Sequence, residues 1–147
     1  MMKTMKYFVL MALFFLSSVA CDGREKNIKF KELPVAAQTF LKDHFDSQRI
    51  SLIRKDSEGL RTTYDVILAD GTKLDFDSKG EWTEVDSKPA AVPATVVPQP
   101  IADYVKKNYP NAAIVQIERD GRGYEVDLSI RIEVRFDSKF NVKRIDD

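Results

Sequence analysis

The chain has 147 residues, with 23 basic and 23 acidic side chains, one histidine and one cysteine. That balance argues against a nucleic-acid partner, which needs a basic face, and the single histidine and cysteine exclude a histidine-rich metal site, a nucleophilic triad and an internal disulfide. The length suffices for one ordinary domain or for two small, mutually dependent halves.

Residues 1–20 read as a secretory signal. Lys3 and Lys6 form its basic start, and the apolar run from Tyr7 to Leu16 is too short for a stable bilayer span. Loss of the two lysines leaves a mature chain with a charge near −2. Ser18-Val19-Ala20 suits cleavage that releases a soluble protein beginning at Cys21. Alternatively, Val19-Ala20-Cys21 resembles the end of a lipobox, with Ser18 where leucine is usual, and Cys21 carries a diacylglyceryl group. An unpaired thiol in an oxidising compartment invites unwanted pairing unless it is modified, which favours the lipoprotein reading. The expected location is therefore the periplasm or a membrane-anchored lipoprotein, with the membrane touched only through Cys21.

Residues 21–31 are polar and without apolar period, and read as a flexible tether. Leu33-Pro34 opens a helix, because proline is tolerated in the first turn. Ala37, Phe40, Leu41 and Phe45 give that helix one apolar stripe. Ile50 to Lys55, Thr62 to Ala69, Lys73 to Asp77 and Trp82 to Asp86 have strand character. Tyr64, Val66, Leu68, Leu74 and Phe76 share one parity, and Asp65, Asp75 and Asp77 take the other, so one face is core and the other meets water. Asp70-Gly71 and Ser78-Lys79-Gly80 supply turns. Residues 87–97, rich in proline and alanine, read as a semi-rigid linker.

Beyond the linker much of the pattern returns. Pro98 or Pro100 opens a second helix, whose stripe Ile101, Tyr104, Val105 and Tyr109 lies 64 residues after the first. Tyr124 to Leu128 and Val134 to Lys139 echo Tyr64 to Leu68 and Leu74 to Lys79 at an offset of 60. The four missing residues fall at a hairpin, where length changes are tolerated. The expectation is an α+β fold: a tandem repeat of one helix plus a four-stranded antiparallel meander, over residues 32–86 and 98–147, with both helices on one face of the sheet. Composition does not decide whether the two sheets join edge to edge or stand as separate lobes, but small units leave edges that need a partner, which favours one continuous sheet.

Few residues suggest chemistry. His44 flanks an apolar stripe and reads as structural. Asp65, Asp75, Asp77, Glu84 and Asp86 gather on the solvent face, yet calcium-loop spacing is absent and Arg61, Lys73 and Lys79 alternate with them, so cross-strand charge pairing is the simpler account. Asp77-Ser78-Lys79 and Asp137-Ser138-Lys139 are explained by turn chemistry, and Gly121-Arg122-Gly123 is a hairpin turn without the helix a phosphate loop needs. Strict alternation puts Trp82 opposite Val85, on the solvent face, as a contact anchor. The pair Val142 and Ile145 has the same spacing, and a bulge would turn both members inward, so core packing is the favoured reading. No catalytic residue, metal ligand or cofactor is expected.

The Leu-Pro helix start, Tyr-x-Val-x-Leu, Leu-x-Phe-Asp and Gly-x-Trp together resemble the periplasmic PepSY-like family, grouped with beta-lactamase-inhibitor-protein-like folds among exported proteins of Gram-negative anaerobes. The likeness covers about residues 30 to 147 and rests on core and turn positions. It departs at Phe140-Asn141-Val142 and Ser129-Ile130-Arg131, which replace Gly80-Glu81-Trp82 and Ala69-Asp70-Gly71. The resemblance implies no enzymatic role, and relatives in the broader group bind or inhibit proteins. The expected function is thus an exported, non-enzymatic module for a protein or peptide partner in the cell envelope, with Asp65, Asp75, Asp77 and Trp82 as the candidate contact face. An envelope sensor for a small molecule or ion is the alternative.

Overall fold

The computed structural model describes residues 24–46 and 48–147. The signal segment and Cys21 lie outside the described residues. Nine strands and two α-helices occur among those described: β1 (Glu25–Asn27), α1 (Val35–Phe45), β2 (Ile50–Glu58), β3 (Arg61–Leu68), β4 (Lys73–Phe76), β5 (Trp82–Asp86), α2 (Gln99–Asn108), β6 (Ile114–Asp120), β7 (Gly123–Leu128), β8 (Glu133–Asp137) and β9 (Val142–Asp146). A 3-10 turn at Phe30–Glu32 precedes α1.

The expected tandem repeat of a helix plus a four-stranded meander is corrected. Among the described residues the molecule is one nine-stranded antiparallel sheet in the order β1 to β9, with two α-helices. Two ladders make the difference. Residues 25–27, within the segment read as a tether, pair with Arg54 to Asp56 of β2. Their pairing is anchored by Ile28, whose N–H donates to the Ile53 carbonyl at 3.0 Å and whose side chain packs on the core. At the middle of the sheet, Glu84, Val85 and Asp86 of β5 pair with Glu118, Ile117 and Gln116 of β6. Both ladders satisfy strand edges that two separate meanders would leave bare.

Each helix starts behind a proline: Pro34 caps α1 and Pro98 caps α2. Ala37, Leu41 and Phe45 of α1 and Ile101 and Val105 of α2 are buried in one cluster with the strands. Beneath them a single apolar row crosses the sheet, Ile53–Val66–Leu74–Val85–Ile117–Val126–Val134–Ile145, each residue directly opposite the next. Side chains alternate across a pleated strand, so the row one residue over faces the other way, away from both helices.

The linker is also more than a spacer. Val92 and Val96 are buried in the core, and the N–H groups of Ser87 and Val92 donate to the carbonyls of Val115 and Ile114. His44 Nδ1 lies 2.8 Å from Thr95 Oγ1, tying this connector to α1.

Candidate functional site: a row of carboxylates on the open face

The strand register places Arg54, Asp65, Asp75, Glu84, Glu118, Glu125, Arg135 and Arg144 side by side across β2 to β9. Five neighbouring strands thus each contribute one carboxylate to an unbroken row. With strands ~4.8 Å apart, the row is ~19 Å long. Within the row, cations stand at the two ends: Arg54 Nη2 meets Asp65 Oδ2 at 3.2 Å, and Arg135 meets Glu125 Oε2 at 2.9 Å. The charge of Lys73 in the adjoining row also reaches Asp65 and Asp75 and partly offsets the rise in both. The expected cross-strand charge pairing therefore fails in the centre, where Asp75 faces Asp65 on one side and Glu84 on the other.

Like charges directly opposite are destabilising in a sheet. On a part-exposed face such like-charge neighbours and the ion pairs at the row's ends are each worth only about 0–1 kcal/mol, and the terminal arginines pair with Asp65 and Glu125 rather than with the central carboxylates. The titration of these groups follows. Asp75 is pushed up from the usual carboxylate range by desolvation first and then by its hydrogen bond with Glu84. Asp65 is raised by desolvation, then by the charge of Asp75 and the hydrogen bond between the two carboxyls. Glu118 is raised by desolvation and by the charges of Glu125, Asp127, Glu133 and Asp75, although it is the most exposed of the five and water damps the effect. Oδ1 of Asp75 is buried with no hydrogen-bond partner among the described residues. Glu84 is held by a short hydrogen bond from the Gln116 amide.

A second row on the same face runs Ile67, Lys73, Asp86, Gln116, Asp127, Glu133 and Asp146. Where the rows meet, carboxylate oxygens of Glu125, Asp127 and Glu133 lie within 4.8 Å of one another. Glu133 is raised by desolvation and then by Glu125. Cations already attend this trio: Lys88 Nζ is 2.8 Å from Asp127, and Arg135 is 3.7 Å from Glu133. The face opens into a groove of about 1050 Å³ bounded by Leu60 and Thr62 of the β2–β3 hairpin and Asp120 and Arg122 of the β6–β7 hairpin. Asp75, Glu84, Glu118 and Glu125 line its floor, and Arg61, Arg119, Arg135 and Lys143 line it too.

Of the expected contact residues, Asp65 and Asp75 stand at the heart of this face. Asp77 is a turn residue: its Oδ1 accepts the N–H groups of Lys79 and Glu81, both at 2.9 Å. Trp82 packs in the core as the bulge reading expected, and only its alternative place on the contact face is corrected. The register shifts between Asp75 and Phe76, so Thr83 is an extra residue and both Trp82 and Val85 turn towards the helices. Trp82 is buried, stacked on Phe40 at 6.1 Å, with the Arg119 guanidinium 4.0 Å over its ring. Glu118 and Glu125 were not singled out by the sequence reading. The signal for Glu125 was available, since it occupies in Tyr124–Leu128 the place Asp65 has in Tyr64–Leu68.

A single antiparallel sheet with helices on one face and a charged groove on the other defines an α+β protein with an open sheet surface. The chain belongs to the family described as "Putative beta-lactamase-inhibitor-like, PepSY-like", whose pattern matches residues 62–144. It is similar to a solved periplasmic protein of the DUF2874 family from Bacteroides vulgatus, with 45% identity over 86% of this chain and 99% of that one and a TM-score of 0.83. A Bacteroides thetaiotaomicron protein described as a "putative calcium-regulated periplasmic protein" is 44% identical over 84% of this chain and 97% of that one, with a TM-score of 0.82. A second Bacteroides vulgatus protein, described as periplasmic and of unknown function, is 39% identical over 84% of this chain and 99% of that one, with a TM-score of 0.79. No curated protein matches. The periplasmic descriptions of these relatives accord with an exported chain.

Proposed function

We propose that this protein acts by binding, without catalysis, and that its open sheet face captures a cationic protein or peptide segment in the cell envelope. The observation that carries the reading is the unbroken row Asp65–Asp75–Glu84–Glu118–Glu125, whose central members Asp75, Glu84 and Glu118 form no ion pair among the described residues. An arginine or lysine side chain lying along the groove would relieve the repulsion and meet the unpartnered Asp75 oxygen. An inhibitor-like role, in which the face blocks a partner's own site, is the family-level form of this reading. Membrane attachment through a lipid on Cys21 belongs to it too, and a mass spectrum of the mature N-terminus tests that part.

The test of binding is capture from a native envelope extract, with residues 21–147 as bait. Charge neutralisation by Asp75→Asn with Glu84→Gln and Glu118→Gln should abolish capture, and Lys42→Glu on the helix side should leave it intact. Capture indifferent to the three sheet substitutions would refute the reading.

A second reading has its own support. Glu125, Asp127 and Glu133 offer converging oxygens of the kind calcium takes, and one similar protein is described as calcium-regulated. It ranks second because Lys88 and Arg135 already occupy part of that charge. Calorimetry with calcium chloride decides it: heat of binding lost in Asp127→Asn supports the ion, and a flat titration removes it.

A further inference from the structure

The apolar row beneath the helices ends unevenly. At one end Ile53 is only 6% exposed, because Ile28 and the strand β1 cover it. Val66, Leu74, Val85, Ile117, Val126 and Val134 are all fully buried. At the other end Ile145 is 47% exposed, on a strand whose outer backbone edge has no partner among the described residues. An edge of this kind is a template for another strand.

We propose that the occupant is a second copy of the same chain, with the two β9 strands pairing antiparallel about a two-fold axis at Ile145. The charges select this partner and this register. In an antiparallel pair, residues directly opposite share a face, so a symmetric register is defined by the residue at its centre. Centring on Lys143, Arg144 or Asp146 sets identical charges face to face. Centring on Val142 brings Asn141 and the β8–β9 turn into the ladder. Centring on Ile145 packs Ile145 against its copy on the helix side, continuing the apolar row into the second molecule. It also places Arg144 opposite the partner's Asp146, twice by symmetry, on the open face. Within one chain Arg144 Nε already lies 2.8 Å from Asp146, so both side chains stand together on that face and each pair meets its opposite charge across the axis. The other edge fits less well: centring β1 on Lys26 sets lysine against lysine, centring it on Glu25 sets acid against acid, and centring it on Asn27 carries the ladder beyond the end of this three-residue strand. The dimer is one eighteen-stranded sheet, with the carboxylate row of each copy running into the second row of the other.

Sedimentation equilibrium of residues 21–147, under reducing conditions that keep Cys21 from cross-linking, tests this from about 1 μM to about 1 mM. A concentration-dependent dimer is expected. Arg144→Asp alone should weaken it at least about tenfold, because like charges then face each other at both ends, and adding Asp146→Arg should restore it. Circular dichroism melting verifies that the exposed substitutions leave the fold intact. A chain monomeric throughout the range, or a charge-swapped double variant no better than the single one, overturns the proposal.

Discussion

The turn from β4 to β5 and the turn from β8 to β9 follow the same backbone course with different residues. Gly80 N–H donates to the Asp77 carbonyl and Phe140 N–H to the Asp137 carbonyl, each at 3.0 Å, and the aspartates hold the turns through identical pairs of side-chain bonds. Yet φ is +83° at Gly80 and +66° at Phe140. The preceding turns differ likewise, with Gly71 at +92° and Arg131 at +64°. A side chain in this region costs about 1–2 kcal/mol. Phe140 offsets that cost by stacking on Tyr124 at 5.3 Å, whereas Arg131 has no hydrogen bond or ion pair through its side chain among the described residues. Gly80 has a further constraint. A Cβ there would lie 2.6 Å from Pro34 Cβ and 2.9 Å from the Ala37 nitrogen, so α1 sits directly on the turn. The conformation alone does not fix the residue; what packs above it does.

The same contrast holds one step later. Trp82 and Val142 both stand opposite a phenylalanine after a register shift, but Trp82 is buried and Val142 is 38% exposed on an edge strand. Trp82→Ala should therefore cost about 3–5 kcal/mol in urea unfolding and Val142→Ala less than about 1 kcal/mol; equal costs would break the comparison. Gly80→Ala should cost about 3 kcal/mol from strain and overlap together. Gly71→Ala, with open space around it, should cost only about 1 kcal/mol. Arg131→Gly should stabilise by roughly 1 kcal/mol, seen as a higher melting temperature.

The smallest effect concerns pH. Asp65, Asp75, Glu118 and Glu133 are raised above their ordinary values of 3.8 and 4.5. Their contribution to stability is fully present below those ordinary values and is lost as pH rises through the folded ones. Thermal stability should thus increase on mild acidification from neutrality. Asp120 and Asp137, lowered chiefly by backbone N–H groups, act in the opposite sense as pH falls below 3.8. Asp75→Asn should stabilise at neutral pH by less than about 1 kcal/mol, since the group is half exposed, and should flatten the acid-side rise. A melting temperature unmoved between neutral and mildly acid solution would show that the row carries no net repulsion.

Much of this was legible in sequence. The apolar stripes named the buried faces of both helices, parity separated Asp65 and Asp75 from Val66 and Leu74, and turn chemistry accounted for Asp77. What was hidden depends on register between distant segments. The meeting of Glu84 with Glu118 is set by the connector docking through Ser87, Val92 and Val96, which no local pattern encodes. β1 escaped because Glu25, Lys26 and Asn27 have no apolar period; the nine-residue edge of β2 organises them. The bulge that turns Trp82 inward was legible from the spacing it shares with Val142 and Ile145, although a single inserted residue reverses every parity argument beyond it.

The sequential strand order has a kinetic consequence. Six of the eight adjoining strand pairs are linked by short turns, and only β1–β2 and β5–β6 are joined across a helix. Such pairs close small loops and form early, whereas the β5–β6 seam must wait for α2 and its connector to fold back. That seam joins Glu84 to Glu118, so the acidic row is expected to become continuous after the hairpins on either side of it, and amide exchange across β5 and β6 during refolding tests that order.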